Sequence, residues 1–170
     1  IALLHRGDIS TKSKYIDELY TIDITPTYKK EYLSSVHRVL QVHAISVIIP
    51  LSDVTAEFLS IHKVNLEHEY HLKCAIPNYD IFQKANDKWQ LMDLCKENFI
   101  PHPRTQLLTS SNLQEAAGAI GFPALIKPNI SVGARGITMV CSLSDLQDKY
   151  DGILRKYGEC TLQEYIDTSG

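Results

Sequence analysis

The stretch Gly121-Phe-Pro-Ala-Leu-Ile-Lys127-Pro-Asn-Ile-Ser-Val-Gly133-Ala-Arg135-Gly136-Ile-Thr-Met-Val140 decides how the rest of the chain reads. An apolar run, Pro123–Lys127, ends in a lysine, a loop of small residues follows, and a second apolar run, Ile137–Cys141, leaves it. Two strands joined by a loop holding Gly133 and Gly136, with Lys127 at the strand end and Arg135 in the loop, suit a polyphosphate. Backbone N–H groups approach an anion where no side chain intervenes, and the cations neutralise its charge. The loop is longer than a hairpin turn needs, and long loops are often functional. It matches neither the Walker pattern nor the dinucleotide fingerprint, because no helix with an apolar face follows it directly.

Downstream, Leu143–Tyr157 is amphipathic with Leu146, Tyr150, Ile153 and Leu154 on one face, and Cys160–Ile166 reads as a last strand. Upstream, Asn78 opens a short helix through Lys84, and Asp87 caps another over Lys88–Asn98 with Leu91, Leu94 and Cys95 inward. Pro101 and Pro103 stop it; Thr105–Leu108 is a strand and Ser110–Ile120 a helix ended by Gly121. This order describes an α+β unit with an antiparallel sheet.

Before Pro77 the pattern differs. Ile1–Leu4, Leu19–Ile24, Ala44–Pro50 and Lys73–Ile76 read as strands, with helices over Tyr28–Val42 and Asp53–Leu66. Ala44–Pro50 is β-branched enough for a buried parallel strand. Alternation of strands and helices predicts a doubly wound parallel sheet over residues 1–77, an α/β unit followed by the α+β unit over 78–170. Its ligand edge lies at the strand C-termini, where Asp8 and Asp53 fall; both are substrate candidates, and both are equally placed to cap a helix.

Composition fits a globular protein: 170 residues, 44% hydrophobic, 22% charged, formal net charge −3. The lack of a basic excess argues against nucleic acid, and no apolar run is long enough for a membrane span. Cys74, Cys95, Cys141 and Cys160 form no C-x-x-C pair and sit in apolar segments, so buried free thiols in a cytoplasmic protein are expected. Glu67-His68-Glu69-Tyr70-His71 has the wrong histidine spacing for a zinc-protease helix and reads as a solvated helix end. The chain opens inside an apolar strand and closes just after another, as a piece of a longer polypeptide would.

The ordered series Asp87-Lys88-Trp89, Ile100-Pro-His-Pro103-Arg-Thr105, Gly121-Phe-Pro123, Ile126-Lys127-Pro128, Ser131-Val-Gly133-Ala-Arg135-Gly136 and Gln163-Glu164-Tyr165-Ile166 resembles the N-terminal half of an ATP-grasp fold. More loosely, Gly7-Asp8-Ile-Ser10, Tyr15-Ile-Asp17-Glu18 and Ile49-Pro-Leu-Ser-Asp53 resemble the small domain preceding ATP-grasp in carbamoyl-phosphate synthase large chains, with its first strand missing. The resemblance implies that Lys88 meets the α-phosphate side of ATP and Lys127 its α- and β-phosphates. Ser131, Gly133, Ala134, Arg135 and Gly136 would close over the β- and γ-phosphates as a mobile loop. Glu164, Tyr165 and Ile166 would form the hinge beside adenine, whose amino group donates to a carbonyl or carboxylate.

The implied reaction is acyl-phosphate formation by a carboxylate or bicarbonate, followed by attack of an amine or ammonia; a homo-oligomer is compatible with it. Two departures stand out. Ile130, Ser131 and Val132 replace glycines common in relatives, which disfavours biotin carboxylation and suggests a stiffer loop. The family's Mg²⁺ ligands lie in a second half beyond this sequence, so no metal ligand is expected here and the fragment is expected to be inactive alone. A non-catalytic nucleotide-binding regulatory module is the alternative, and a doubly wound sugar- or amino-acid-binding domain a third reading.

Overall fold

A computed structural model describes residues 1–23 and 29–167. The chain divides into two compact units, Ile1–Phe82 and Gln83–Gly170. Pro77, where the sequence pattern changes, lies shortly before that division.

In the first unit, β1 (Ala2–His5) pairs in parallel with β2 (Leu19–Ile22), and β3 (Val47–Ile48) with β4 (Lys73–Cys74). The helices are α1 (Lys29–Val42) and α2 (Asp53–Tyr70). Tyr32, Val36 and Leu40 of α1 and Phe58, Leu59 and Leu66 of α2 join Leu3, Ile22, Ile48 and Cys74 in one core. Leu3 and Ile22 share one face of their strand pair, as do Ile48 and Cys74 of theirs. Ile24 and Tyr28, expected at a strand end and a helix start, lie outside the described residues.

The expected doubly wound sheet is corrected in two respects. Among the described residues the strands form two separate parallel pairs. The strand expected over Ala44–Pro50 shrinks to Val47–Ile48, with Val47 and Ile49 exposed. Parallel strands are buried throughout only when helices cover both faces. The outer edge of β4 is closed by α2: Glu67 Oε1 accepts from the Cys74 N–H at 2.9 Å, and Lys63 Nζ donates to the Cys74 carbonyl at 3.0 Å. Both backbone groups of an edge residue are thereby satisfied by side chains, which blocks further pairing there.

In the second unit, α3 (Tyr79–Asn86) runs in from the first, followed by α4 (Lys88–Glu97), β5 (Thr105–Leu107), α5 (Leu113–Ile120), β6 (Ala124–Pro128), β7 (Thr138–Val140), α6 (Leu143–Tyr157) and β8 (Cys160–Glu164). The strands form an antiparallel sheet in the order β5-β8-β6-β7. Local chemistry sets the boundaries. Asp87 caps α4 by accepting from Trp89 N and Gln90 N, Ser142 caps α6, and Gly121 and Gly158 terminate α5 and α6. Leu94, expected inward, is exposed instead.

One sheet face, through Ala124, Ile126, Val140, Cys160 and Leu162, packs under α5 and α6 with Ala116, Ile120, Leu146 and Tyr150. The alternating residues Thr105, Leu125, Lys127, Met139, Thr161 and Gln163 therefore face the other way. All four cysteines are free. Cys74 and Cys160 are buried and Cys141 is exposed, and burial pushes the Cys160 thiol up to about 11.

Leu162 is fully buried at the centre of this core, so Leu162→Ala should cost about 2–5 kcal/mol in urea unfolding; a cost below 1 kcal/mol would contradict the packing described. Glu67 is held below the usual carboxylate range, first by the Cys74 N–H and then by Lys63. Its stabilising contribution is present above the unfolded carboxylate pKa and is lost as pH falls through the lower folded value. Glu67→Gln should flatten the acid limb of thermal stability, measured by circular dichroism from pH 6 to pH 3.

Candidate functional site: two lysines at the root of a glycine loop

Lys88 is the first residue of α4, placed there by the Asp87 cap. Its backbone N–H donates to the Asn129 carbonyl at 2.9 Å, fastening the helix start to the residue that follows β6. Its ammonium group donates to the Ser131 carbonyl and Oγ, both at 3.1 Å, and to the Asn129 carbonyl at 3.4 Å. Lys88 therefore reaches the root of the glycine loop from a different element.

Lys127 lies near the end of β6, on the sheet face that α5 and α6 leave open. Its ammonium group donates to Gln163 Oε1 on β8, and Gln163 Nε2 donates to Thr105 Oγ1 on β5 at 2.9 Å. Burial first, and the charge of Lys88 second, hold the Lys127 ammonium below the usual lysine pKa. The two cations are thus electrostatic neighbours, although 39 positions separate them in sequence, as 127 minus 88 gives. Bringing like charges together in partly buried surroundings is unfavourable unless an anion joins them.

The loop between β6 and β7 is anchored at both ends. Lys88 holds Ser131, and Gly136 packs so closely that a Cβ there would lie 2.7 Å from Pro128 Cγ and 2.8 Å from the Tyr157 ring. Gly136 also has φ +77°, which a side chain rarely adopts. Between the anchors, turns close from Arg135 N to the Val132 carbonyl and from Ile137 N to the Ala134 carbonyl. Val132, Gly133, Ala134 and Arg135 form the exposed tip. Asn129 is buried and its Oδ1 has no hydrogen-bond partner. That orphan is an acceptor, so it suits a donor such as an ammonium group and not a phosphate oxygen.

Glu164 is already engaged by a neighbouring side chain. Its carboxylate is taken by Arg104, through the backbone N–H to Oε1 at 2.8 Å and Nε to Oε2 at 2.7 Å. The Arg104 guanidinium also donates to the Ala119 and Ile120 carbonyls at the end of α5. The Arg104 hydrogen bonds keep the Glu164 pKa below the usual range. By strand alternation Glu164 points away from the face of Gln163 and Lys127, so its carboxylate is a staple between β8, β5 and α5. Tyr165 and Ile166, just past β8, are exposed.

In the first unit, Asp8 caps a short 3₁₀ turn by accepting from Ser10 N at 2.8 Å, which lowers its pKa. Asp53 sits exposed in the first turn of α2, whose cap is Ser52. A shallow cavity of about 390 Å³ in this unit, lined by Leu40, His43, Ser46, Tyr70 and His71 among others, contains no lysine or arginine and is not built for a polyphosphate. His71 ends α2 in the left-handed region. Among the described residues no three His, Cys, Asp or Glu side chains are grouped to hold a metal, and no helix is long and apolar enough to cross a membrane.

Sequence reasoning missed Gln163, Thr105, Asn129 and Arg104 as parts of this arrangement. The register of β8 against β5 and β6 is what assembles them.

No family model and no curated protein matches the chain by sequence. Solved structures do match. The biotin carboxylase domain of Hydrogenobacter thermophilus 2-oxoglutarate carboxylase, a dimer solved with MgADP, ADP and bicarbonate, superposes with a TM-score of 0.75 at 19% identity over 97% of this chain and 39% of its own. Biotin carboxylase from Campylobacter jejuni gives 0.75 at 16% identity over 97% and 39%. D-alanine–D-alanine ligase from Bacillus anthracis gives 0.66 at 17% identity over 88% and 46%. The chain thus spans less than half the length of each of these neighbours. All three are ATP-grasp enzymes, and the chain has an ATP-grasp fold.

Proposed function

We propose that the chain is the ATP-binding portion of an ATP-grasp ligase or synthetase. The observation that carries this reading is the convergence of Lys88 and Lys127, from separate elements, at the root of a glycine loop. In this reading the first unit is the small domain that precedes ATP-grasp, and the second is its N-terminal nucleotide-binding subdomain.

Lys88 and Lys127 supply two ammonium groups for the α- and β-phosphates, and the Val132–Arg135 tip covers the phosphates beyond them. Gly136 is the pivot, because its packing on Pro128 and Tyr157 fixes the loop's exit. Tyr165 and Ile166 offer backbone groups and apolar surface to the purine. The Glu164 carboxylate, engaged by Arg104, orients the hinge and does not itself receive the adenine amino group. ATP would supply the γ-phosphoryl group: an acceptor carboxylate would attack it with ADP leaving, and an amine would then attack the acyl carbon of the acyl phosphate with phosphate leaving. Phosphoryl transfer asks the protein chiefly for positioning and charge neutralisation, and this donor set offers both.

The residues present fit the polyphosphate but not its Mg²⁺, for which no acidic cluster is found among the described residues. The fit to two biotin carboxylases supports bicarbonate as the acceptor class, in line with the carbamoyl-phosphate-synthase-like residues of the first unit. Four unpaired thiols support a reducing, cytoplasmic setting.

Lys127→Ala and Lys88→Ala should each weaken ATP binding by on the order of ten-fold or more, since a hydrogen bond to a charged group contributes about 1.5–3 kcal/mol. Calorimetric titration beside a thermal melt checks this; unchanged affinity in a folded variant would remove the assigned role. Binding requires the protonated ammonium, and the Lys127 pKa lies below 10.5. ATP affinity should therefore start to fall with rising pH before that value, and Lys127→Ala should lose that part of the decline.

A further inference from the structure

Lys127 is held by an amide, not a carboxylate, and the amide has only one workable orientation. A lysine ammonium group only donates, so the Gln163 atom facing it must be the oxygen. That leaves Nε2 to donate to Thr105 Oγ1 at 2.9 Å. The Thr105 hydroxyl spends its own proton on the Pro103 carbonyl, at 2.9 Å, and is left as an acceptor. The series Lys127 to Gln163 to Thr105 to Pro103 thus runs in one donor direction across β6, β8 and β5. Gln163 is 7% exposed, so turning the amide over would bury its N–H groups against a cation and face its oxygen to a hydroxyl without a proton to give.

We propose that Gln163 is the positioning residue of the phosphate site: an uncharged tether, locked by Thr105, that holds the Lys127 ammonium beside Lys88 without neutralising it. This rests on the nucleotide reading above. A lysine on its flexible stem needs such a holder to be placed in advance. A carboxylate would hold it as well but would form an ion pair and cancel the charge meant for the ligand. The neutral tether therefore selects polyanions, which gain from both cations, over singly charged ligands.

The test uses the 170-residue chain, inorganic tripolyphosphate as probe, and lysine side-chain NMR. In Gln163→Glu the Lys127 titration should move to higher pH and tripolyphosphate affinity should drop by on the order of ten-fold. Thr105→Val, which leaves the charges unchanged, should broaden or shift the Lys127 side-chain signal and weaken tripolyphosphate by a smaller factor. Melting curves identify any unfolded variant, and the second substitution stands if the first does not fold. An unmoved Lys127 titration in folded Gln163→Glu, or an undisturbed Lys127 signal in folded Thr105→Val, would overturn the tether. Full affinity of Gln163→Glu for tripolyphosphate would overturn the charge argument. If Lys127→Ala binds the probe as tightly as the unmodified chain, the nucleotide reading falls, while the Lys127 titration still decides what Gln163 does.

Discussion

Two ammonium groups held close together impose the constraint on which the second unit depends. Lys127 is fixed from the sheet by Gln163, and Lys88 is fixed from the start of a helix at the loop root. Burial first, and the charge of Lys88 second, lower the Lys127 pKa, a cost that a folded chain bears only where something offsets it. Neighbouring features follow from holding that pair in place. The Asp87 cap sets the first turn of α4, the Lys88 N–H grips the Asn129 carbonyl, and Gly136 seals the loop exit against Pro128 and Tyr157.

The sheet separates support from function by its faces. Its covered face is apolar and closed by α5 and α6, which gives the strands a rigid backing. Its other face carries the polar line Thr105, Gln163 and Lys127 across three strands. Arg104 and Glu164 belong to the supporting side: their paired bonds tie the end of β8 to β5 and to the last carbonyls of α5. The end of β8 is thereby held by side chains that point away from the face of Lys127 and Gln163. The first unit makes a different use of side chains, closing the edge of β4 with Lys63 and Glu67.

How much of this was legible in the sequence depended on range. Features written locally were readable: Asp87 as a cap, Gly121 as a helix stop, the full span of α6, and the Lys127 to Gly136 loop between two strands. Features set by register were not. Glu164 follows Leu162 on one strand face, but only the pairing beside β5 shows that Arg104 is its partner. Gln163 was hidden for the same reason. The β-branched run at Ala44–Pro50 misled because strand propensity does not report how many faces a helix will cover, and Val47 and Ile49 are left in solvent.

The most direct measurement is a crystal structure of the chain soaked with a non-hydrolysable ATP analogue. The expected result places phosphate oxygens within hydrogen-bonding distance of both the Lys88 and Lys127 ammonium groups, with the purine against Tyr165 and Ile166. A nucleotide seated elsewhere on the molecule, with neither ammonium group touching phosphate, would contradict the account.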